Sequence, residues 1–153
     1  VDATDSFGNS VVTDPNTGDI TYATGFREFE AFAEIGTKLG ETPFTLYGNY
    51  VVNNDAATDD KGWLIGTKLG KARNPGEWEF GYNYRRLEAD AVLGAFCDSD
   101  FAGGGTDGKG HQFGLGVALT KNTKLGLTYF LNDAGLTDGK SYKRLQLDFK
   151  FKF

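Results

Sequence analysis

The sequence has no Met, only three Pro, one Cys and one His. A lone Cys97 cannot form an internal disulfide, and no Cys/His cluster has the spacing of a metal site. With His111 as the only histidine, most general-base schemes are excluded, and no catalytic Ser, Cys or His motif surrounds it. We therefore expect no enzyme activity, no metal site and no cofactor.

Long apolar runs are also missing. No stretch approaches the roughly 18 consecutive apolar residues of a transmembrane helix, and mean hydropathy is -0.39. The chain starts at Val1 without the apolar core of a signal peptide, so we expect a processed product or part of a longer protein. Any membrane location would have to come from alternating strands, which are half polar.

Glycine and aromatic residues are abundant: 22 Gly, 13 Phe, 7 Tyr and 2 Trp. This composition favours a β-rich domain over a helical bundle. The clearest pattern is at residues 141–153, where apolar and polar residues alternate from Arg144 onward. Side chains of a strand point alternately to opposite faces, so this strand has one apolar and one charged face. Alternation alone fits a soluble sandwich as well as a transmembrane barrel.

Six further strands are predicted by the same period. The segment IGTKLG occurs at 35–40 and again at 65–70, each time followed by a turn and an aromatic-rich strand, as in an up-and-down meander. A short hairpin is predicted at 11–22, with arms too short to cross a bilayer. The predicted long strands are 26–39, 44–52, 63–70, 77–87, 111–119, 124–131 and 141–153.

The predicted loop lengths indicate how the strands cross a membrane. Connections at 40–43, 71–76 and 120–123 are short, and those at 53–62, 88–110 and 132–140 are long, which is typical of periplasmic turns and extracellular loops. With strand directions set this way, aromatic residues form two belts. The periplasmic belt contains Phe44, Trp78, Phe151 and Phe153, and the outer belt contains Phe29, Tyr50, Trp63, Tyr84 and Tyr129.

The charged faces are expected to line an aqueous lumen. Packing them into a soluble core would bury many charges, which is costly unless every one is paired. We therefore predict an all-β fold: an antiparallel up-and-down transmembrane β-barrel, with residues 1–25 as an extracellular hairpin or loop and 26–153 as barrel strands. The predicted pore-lining residues are Glu28, Glu30, Glu34, Glu77, Glu79, Arg85, Lys124, Arg144, Asp148 and Lys150.

The sequence predicts seven long strands, whereas bacterial single-chain barrels have an even number of strands. Either the hairpin before Phe26 contains an eighth strand, or the chain is the C-terminal part of a larger barrel. The second interpretation is preferred, because an open seven-stranded sheet leaves an edge whose backbone N–H and C=O groups cannot form hydrogen bonds with lipid.

The stretch from Phe26 to Phe153 resembles the C-terminal part of the putative-porin family of Gram-negative outer-membrane proteins. The resemblance rests on four segments: FREFEAFAEIGTKL, GEWEFGYNYR, DAVLGAFCDSDFAGGGTDGKGHQFGLGVALTKNTKLGLTYF and YKRLQLDFKFKF. The resemblance implies an outer-membrane location and a last strand that closes the barrel. It also implies that Phe149, Phe151 and Phe153 form the signal recognised by the outer-membrane assembly machinery.

A porin is the leading functional hypothesis: a water-filled channel for passive diffusion of small polar solutes or ions. The alternative is a structural barrel that anchors to the envelope or sheathes a partner protein, and an outer-membrane enzyme ranks third. Expected partners are membrane lipid, the assembly machinery, the solutes and a second copy in a homo-oligomer, but no nucleic acid.

The insertion at 88–110 permits two interpretations. Its apolar segment 91–96 and hinge at 103–105 would suit a loop folded into the lumen, but an external cap is favoured. Asp98 and Asp100 are a weak signal for Ca²⁺, because two carboxylates do not make a full ligand loop. Cys97 is expected to be a buried packing residue, and His111 is placed at the outer rim.

Overall fold

A computed structural model describes residues 6–152 and shows nine strands. Two of them, β1 (Val11–Thr13) and β2 (Ile20–Tyr22), pair as a small antiparallel hairpin. This hairpin is the one that the turn sequence around Asp14 predicts. The Asp14 side chain accepts the Asn16 backbone N–H at 2.7 Å, which fixes the turn.

The other seven strands form one antiparallel sheet in the order β3-β4-β5-β6-β7-β8-β9. Each has 10 to 12 residues, which reaches the roughly 9 to 11 that a tilted strand needs to cross a bilayer. Every strand pairs with its sequence neighbours, as in an up-and-down meander. Their bounds are β3 Glu28–Leu39, β4 Thr42–Asn53, β5 Lys61–Gly70, β6 Trp78–Leu87, β7 Gly108–Ala118, β8 Thr123–Ala134 and β9 Lys140–Phe151.

Within the described residues, β3 and β9 are not paired with each other, so the sheet is open at both edges. Residues from all seven strands nevertheless line a single pocket on the polar face, which means that the sheet curves around it. The all-β, antiparallel fold is thus confirmed, and the curved sheet is consistent with part of a barrel. Among residues 6–152, no helix is long and apolar enough to cross a membrane.

The connections define two ends of the sheet. We call the end with 40–41, 71–77 and 119–122 the turn end, and the end with 54–60, 88–107 and 135–139 the loop end. The expected contrast in length is weaker than predicted, because 71–77 is as long as 54–60. The strands β7, β8 and β9 extend further toward the loop end than expected and take residues from the loops. Only the 88–107 segment is long, with one 3-10 turn at Gly94–Phe96.

The two faces of the sheet differ sharply. Apolar side chains of one face are left largely exposed: Phe29 is 61% exposed, Ile35 70%, Leu145 65% and Phe151 63%. An exposed apolar surface of this extent is what a lipid-facing wall requires, whereas a soluble fold would bury it. The opposite face carries the charged residues and the small buried clusters. We call these the apolar face and the polar face.

Candidate functional site: the polar face

Nine of the ten predicted pore-lining residues lie within the seven strands and, by register, on the polar face. Glu79 is opposite Gly116, Lys124 is opposite Lys150, and Phe130 is opposite Arg144. Nothing in the structure tests whether these side chains contact a solute, so their role as pore lining stays a prediction. The nine are Glu28, Glu30, Glu34, Glu79, Arg85, Lys124, Arg144, Asp148 and Lys150.

Glu77, the tenth, lies in the turn 71–77 rather than in a strand. Its carboxylate accepts the backbone N–H of Asn74 at 2.8 Å and of Arg73 at 3.0 Å, and the Asn74 side-chain amide at 2.9 Å. These hydrogen bonds, the Asn74 side-chain bond first, hold the pKa of Glu77 below its ordinary value. The structure therefore gives Glu77 a turn-stabilising position at the turn end.

The 88–107 segment lies across the polar face and does not form the external cap that the sequence favoured. Ala91 is fully buried and packs with Val51 of β4 and Leu87 of β6. Further along the segment, Phe101 packs against Phe130 of β8, and both are 2% exposed. The apolar residues of the loop thus cover apolar residues that interrupt the charged face, which explains why the loop folds inward.

Charged residues fix the same segment to β6 and β9. Asp98 forms an ion pair with Arg85 at 3.3 Å, and Asp100 forms one with Arg144 at 2.7 Å. Asp100 also accepts a 2.9 Å hydrogen bond from Gln146, and the Arg85 guanidinium lies 4.0 Å from the centre of the Phe101 ring. Both acidic residues are therefore paired with cationic side chains of the protein. In residues 6–152 no cluster of His, Cys, Asp or Glu could hold a metal.

Asparagine side chains hold the beginning of the segment at the loop end. Asn9 donates to the backbone oxygens of Ala89 and Val92, at 2.7 and 2.8 Å, and accepts from the Gly94 N–H. Asn53 is fully buried and donates to the Asp90 carbonyl oxygen at 2.8 Å. A buried amide with satisfied donors makes a rigid anchor, because each lost bond would leave an unpaired polar atom.

Toward the turn end, the polar face is open and forms a pocket of about 570 Å³. Glycine forms much of its floor: Gly81 is opposite Gly114, and no atom lies within 3.5 Å of the place where a Cβ would stand on either. Four lysines and three acidic residues surround this floor. They are Lys68, Lys71, Lys124, Lys150, Glu34, Glu79 and Asp148.

Two side-chain pairs organise the walls of this pocket. Lys124 forms an ion pair with Glu79, and both side chains lie over Gly116, where a Cβ would clash with them. The Lys68 ammonium stands 4.9 Å from the centre of the Tyr47 ring, which itself lies over Gly66. Glycine at 66 and 116 thus leaves space for side chains from neighbouring strands.

The sequence interpretation missed the structural roles of several residues at this site, including Asp98 and Asp100, which it had considered only for Ca²⁺. Asp98, Asp100, Phe101 and Phe130 hold the loop, and Tyr47 and Lys68 line the pocket. One available signal was Phe130, which lies between Tyr129 and Leu131 and so places an apolar residue on the polar side of a strand. Periodicity does not show which residue packs against such an apolar side chain.

The other residues singled out from the sequence are Cys97, His111 and the three Phe residues of the predicted assembly signal. Cys97 packs beside Ala91, and burial raises the pKa of its thiol. His111 lies on the apolar face between Tyr82 and Tyr84, and its Nδ1 is 2.9 Å from the Tyr82 hydroxyl. Phe149 and Phe151 are exposed on the apolar face of β9. Phe153, the third residue of the predicted assembly signal, lies outside the described residues.

A curved antiparallel meander with an apolar outer face and a charged inner one defines a class: the wall of an outer-membrane β-barrel. Comparison with protein-family models agrees with this class. The model described as "Putative porin" matches residues 16–153, which is nearly the whole chain, and the chain belongs to that family. Membership implies a channel of the outer membrane and a non-enzymatic protein. No curated protein and no solved structure matches the chain.

Proposed function

We propose that the polar face lines a water-filled channel for passive diffusion of small polar solutes or ions. The observation that carries the proposal is the segregation of faces: exposed Leu, Ile and Phe side chains on one side, charged residues and an open pocket on the other. Charged residues facing a lumen remain hydrated, whereas the same residues facing lipid would be very costly.

The 88–107 segment narrows this passage at the loop end. It contacts the polar face on β3, β4, β6, β8 and β9 and leaves the turn end open. A solute would therefore pass a constriction formed by the loop and then a wider space with a glycine floor. Rings of charge at such a narrow place set ion preference.

Acidic and basic residues are concentrated on different strands of the polar face. Glu28, Glu30 and Glu34 all lie on β3, whereas Lys124 and Lys150 face each other on β8 and β9. Of the acidic residues, Glu30 accepts a 2.6 Å hydrogen bond from Asn49 and Glu28 accepts one from Leu93 N–H. This separation would produce a field across the lumen, which orders polar solutes and favours one sign of ion.

Conductance of the purified protein in planar bilayers tests the proposal. We expect stepwise currents, and a reversal potential that moves toward anion preference when Glu30 and Glu34 are changed to Gln. Changing Lys68 and Lys150 to Gln should move it the opposite way, because both lysines face the lumen and neither has an ion pair in residues 6–152.

The matched control neutralises two lysines on the apolar face, Lys109→Gln and Lys143→Gln, and should leave the reversal potential unchanged. A folded protein that carries no current would contradict the channel. That outcome would support the second function, a barrel that anchors to the envelope or sheathes a partner protein.

A further inference from the structure

A row of cations crosses the apolar face at the loop end. Lys61, Arg86, Lys109 and Lys143 occur on β5, β6, β7 and β9, at positions whose side chains share the face of the exposed aromatic residues. The register fixes their level: Trp63 is opposite Arg86, which is in turn opposite Lys109. On β9, Lys143 is opposite Leu131, one step closer to the membrane centre.

Aromatic side chains lie level with this row and one step closer to the membrane centre. Tyr50 is opposite Trp63, Tyr84 is opposite His111, and the Trp63 and Tyr84 rings are 5.3 Å apart. Aromatic rings of this kind mark the level at which hydrocarbon gives way to headgroups. The backbones of the cations are therefore at the level of these aromatic residues or one step outside it, and their long side chains can extend outward to the lipid phosphates.

Two of the four cations lack an acidic partner. Lys61 pairs with Asp60 at 2.9 Å and Arg86 with Glu88 at 3.5 Å. Lys109 and Lys143 make no ion pair with any described residue, although Asp133 is opposite Lys109 in the register. Neighbouring strands are about 4.8 Å apart, and β8 lies between β7 and β9. The backbones of Lys109 and Lys143 are therefore roughly 10 Å apart across the sheet.

The turn end has no such row. There the apolar face carries Leu39, Phe44, Leu69, Trp78 and Phe151, none of them charged. A general need for solubility would not concentrate cations at one end of a lipid-facing surface. The asymmetry points to a ligand that is present on one side of the membrane and carries negative charge at headgroup depth.

We propose that Lys61, Arg86, Lys109 and Lys143 bind phosphate groups of anionic lipids in the leaflet next to the loop end. Trp63, Tyr84 and His111 would contact the glycerol or sugar region beneath the phosphate. The site is on the outside of the wall, so it depends on the membrane orientation of the sheet and not on whether the lumen conducts.

Native mass spectrometry of the full chain in detergent tests the proposal, with phosphatidic acid as the probe and phosphatidylcholine of the same acyl chains for comparison. The protein should retain phosphatidic acid in preference, and Lys109→Gln with Lys143→Gln should weaken retention on the order of twentyfold, since each cation near an anionic surface contributes about fivefold. The matched control, Lys68→Gln with Lys150→Gln, removes the same charge from the polar face and should retain lipid as the unaltered chain does.

Inorganic phosphate separates the lipid from a free anion as ligand. If it displaced phosphatidic acid at comparable concentration, the site would be a phosphate site and the lipid assignment would be overturned. Equal loss of lipid in both double variants would overturn it as well. Circular dichroism checks that each variant is folded. Because the outward pair leaves the reversal potential unchanged and the lumen pair leaves lipid retention unchanged, failure of one proposal is distinguishable from failure of the other.

Discussion

Asp100 joins the 88–107 segment to the last strand through one ion pair and one side-chain hydrogen bond, to Arg144 and Gln146. The two charges are about two-thirds shielded from solvent, so their interaction is only partly screened. Neighbouring contacts act on the same segment, including the hydrogen bond from Ala102 N–H to the Asn132 side chain at 3.2 Å. The position of the loop therefore depends on a few identifiable atoms.

Changing Asp100 to Arg should detach this part of the loop, because two cations would then face each other across the former ion pair. We expect larger single-channel conductance and faster hydrogen exchange of the amides at 98–102. Combining it with Arg144→Asp restores a pair of opposite charges and should recover the original values. If the double variant behaved like the single one, the ion pair would not be what holds the loop.

Glu77 makes the turn 71–77 sensitive to acid. Its pKa is lowered from the ordinary 4.5, so its contribution is fully present above that value and is lost as pH falls through the lowered pKa of the folded state. Exchange of the Asn74 and Arg73 amides should then accelerate. Glu77→Gln should give fast exchange at every pH, whereas Glu41→Gln, in the neighbouring turn, should not alter it.

At the scale of the strand, two glycines of the polar face provide a matched test of packing. A Cβ on Gly66 would overlap the Tyr47 ring and would lie 2.8 Å from the Tyr82 carbonyl oxygen, which belongs to the backbone and cannot move away easily. Gly66→Ala should therefore destabilise the folded protein by about 1–3 kcal/mol in thermal or denaturant unfolding. Gly81→Ala has open space above it and should be neutral or slightly stabilising.

The strands themselves were predictable, and the loop was not. Alternation along β9 assigns Leu145 and Arg144 to opposite faces without any knowledge of neighbours, because a strand has a period of two. Strand ends shifted by at most three residues, as at β8, which continues to Ala134 rather than stopping at 131. The inward path of 88–107 depends on contacts between residues far apart in sequence, such as Phe101 with Phe130, and periodicity contains no record of them.

The register also explains why the charge pattern was predicted better than the pairing. Polar positions such as Lys124 and Glu79 could be assigned to one face from the sequence alone. Their ion pair could not, since it spans β7 and exists only because Gly116 between them has no side chain. Glycine at 116 thus accommodates the paired side chains of the two neighbouring strands.

At the scale of the whole molecule, the orientation in the membrane is testable by labelling. In a Cys97→Ser background, a cysteine introduced at Asp138 lies at the loop end and one at Asn122 lies at the turn end. A membrane-impermeant maleimide added to intact cells should label position 138 and not position 122. Labelling at 122 alone would reverse the orientation and would move the proposed lipid site to the opposite leaflet.

The 88–107 segment touches both edge strands of the sheet, β3 at Glu28 and β9 at Arg144. It connects the two sides of the curved sheet directly. Because the width of a seven-stranded sheet is fixed, the distance between its two sides sets how strongly the sheet curves. Shortening this connection would therefore draw the two flanks of the wall together, and lengthening it would let them spread. The curvature of the wall therefore depends on this one segment as well as on the number of strands.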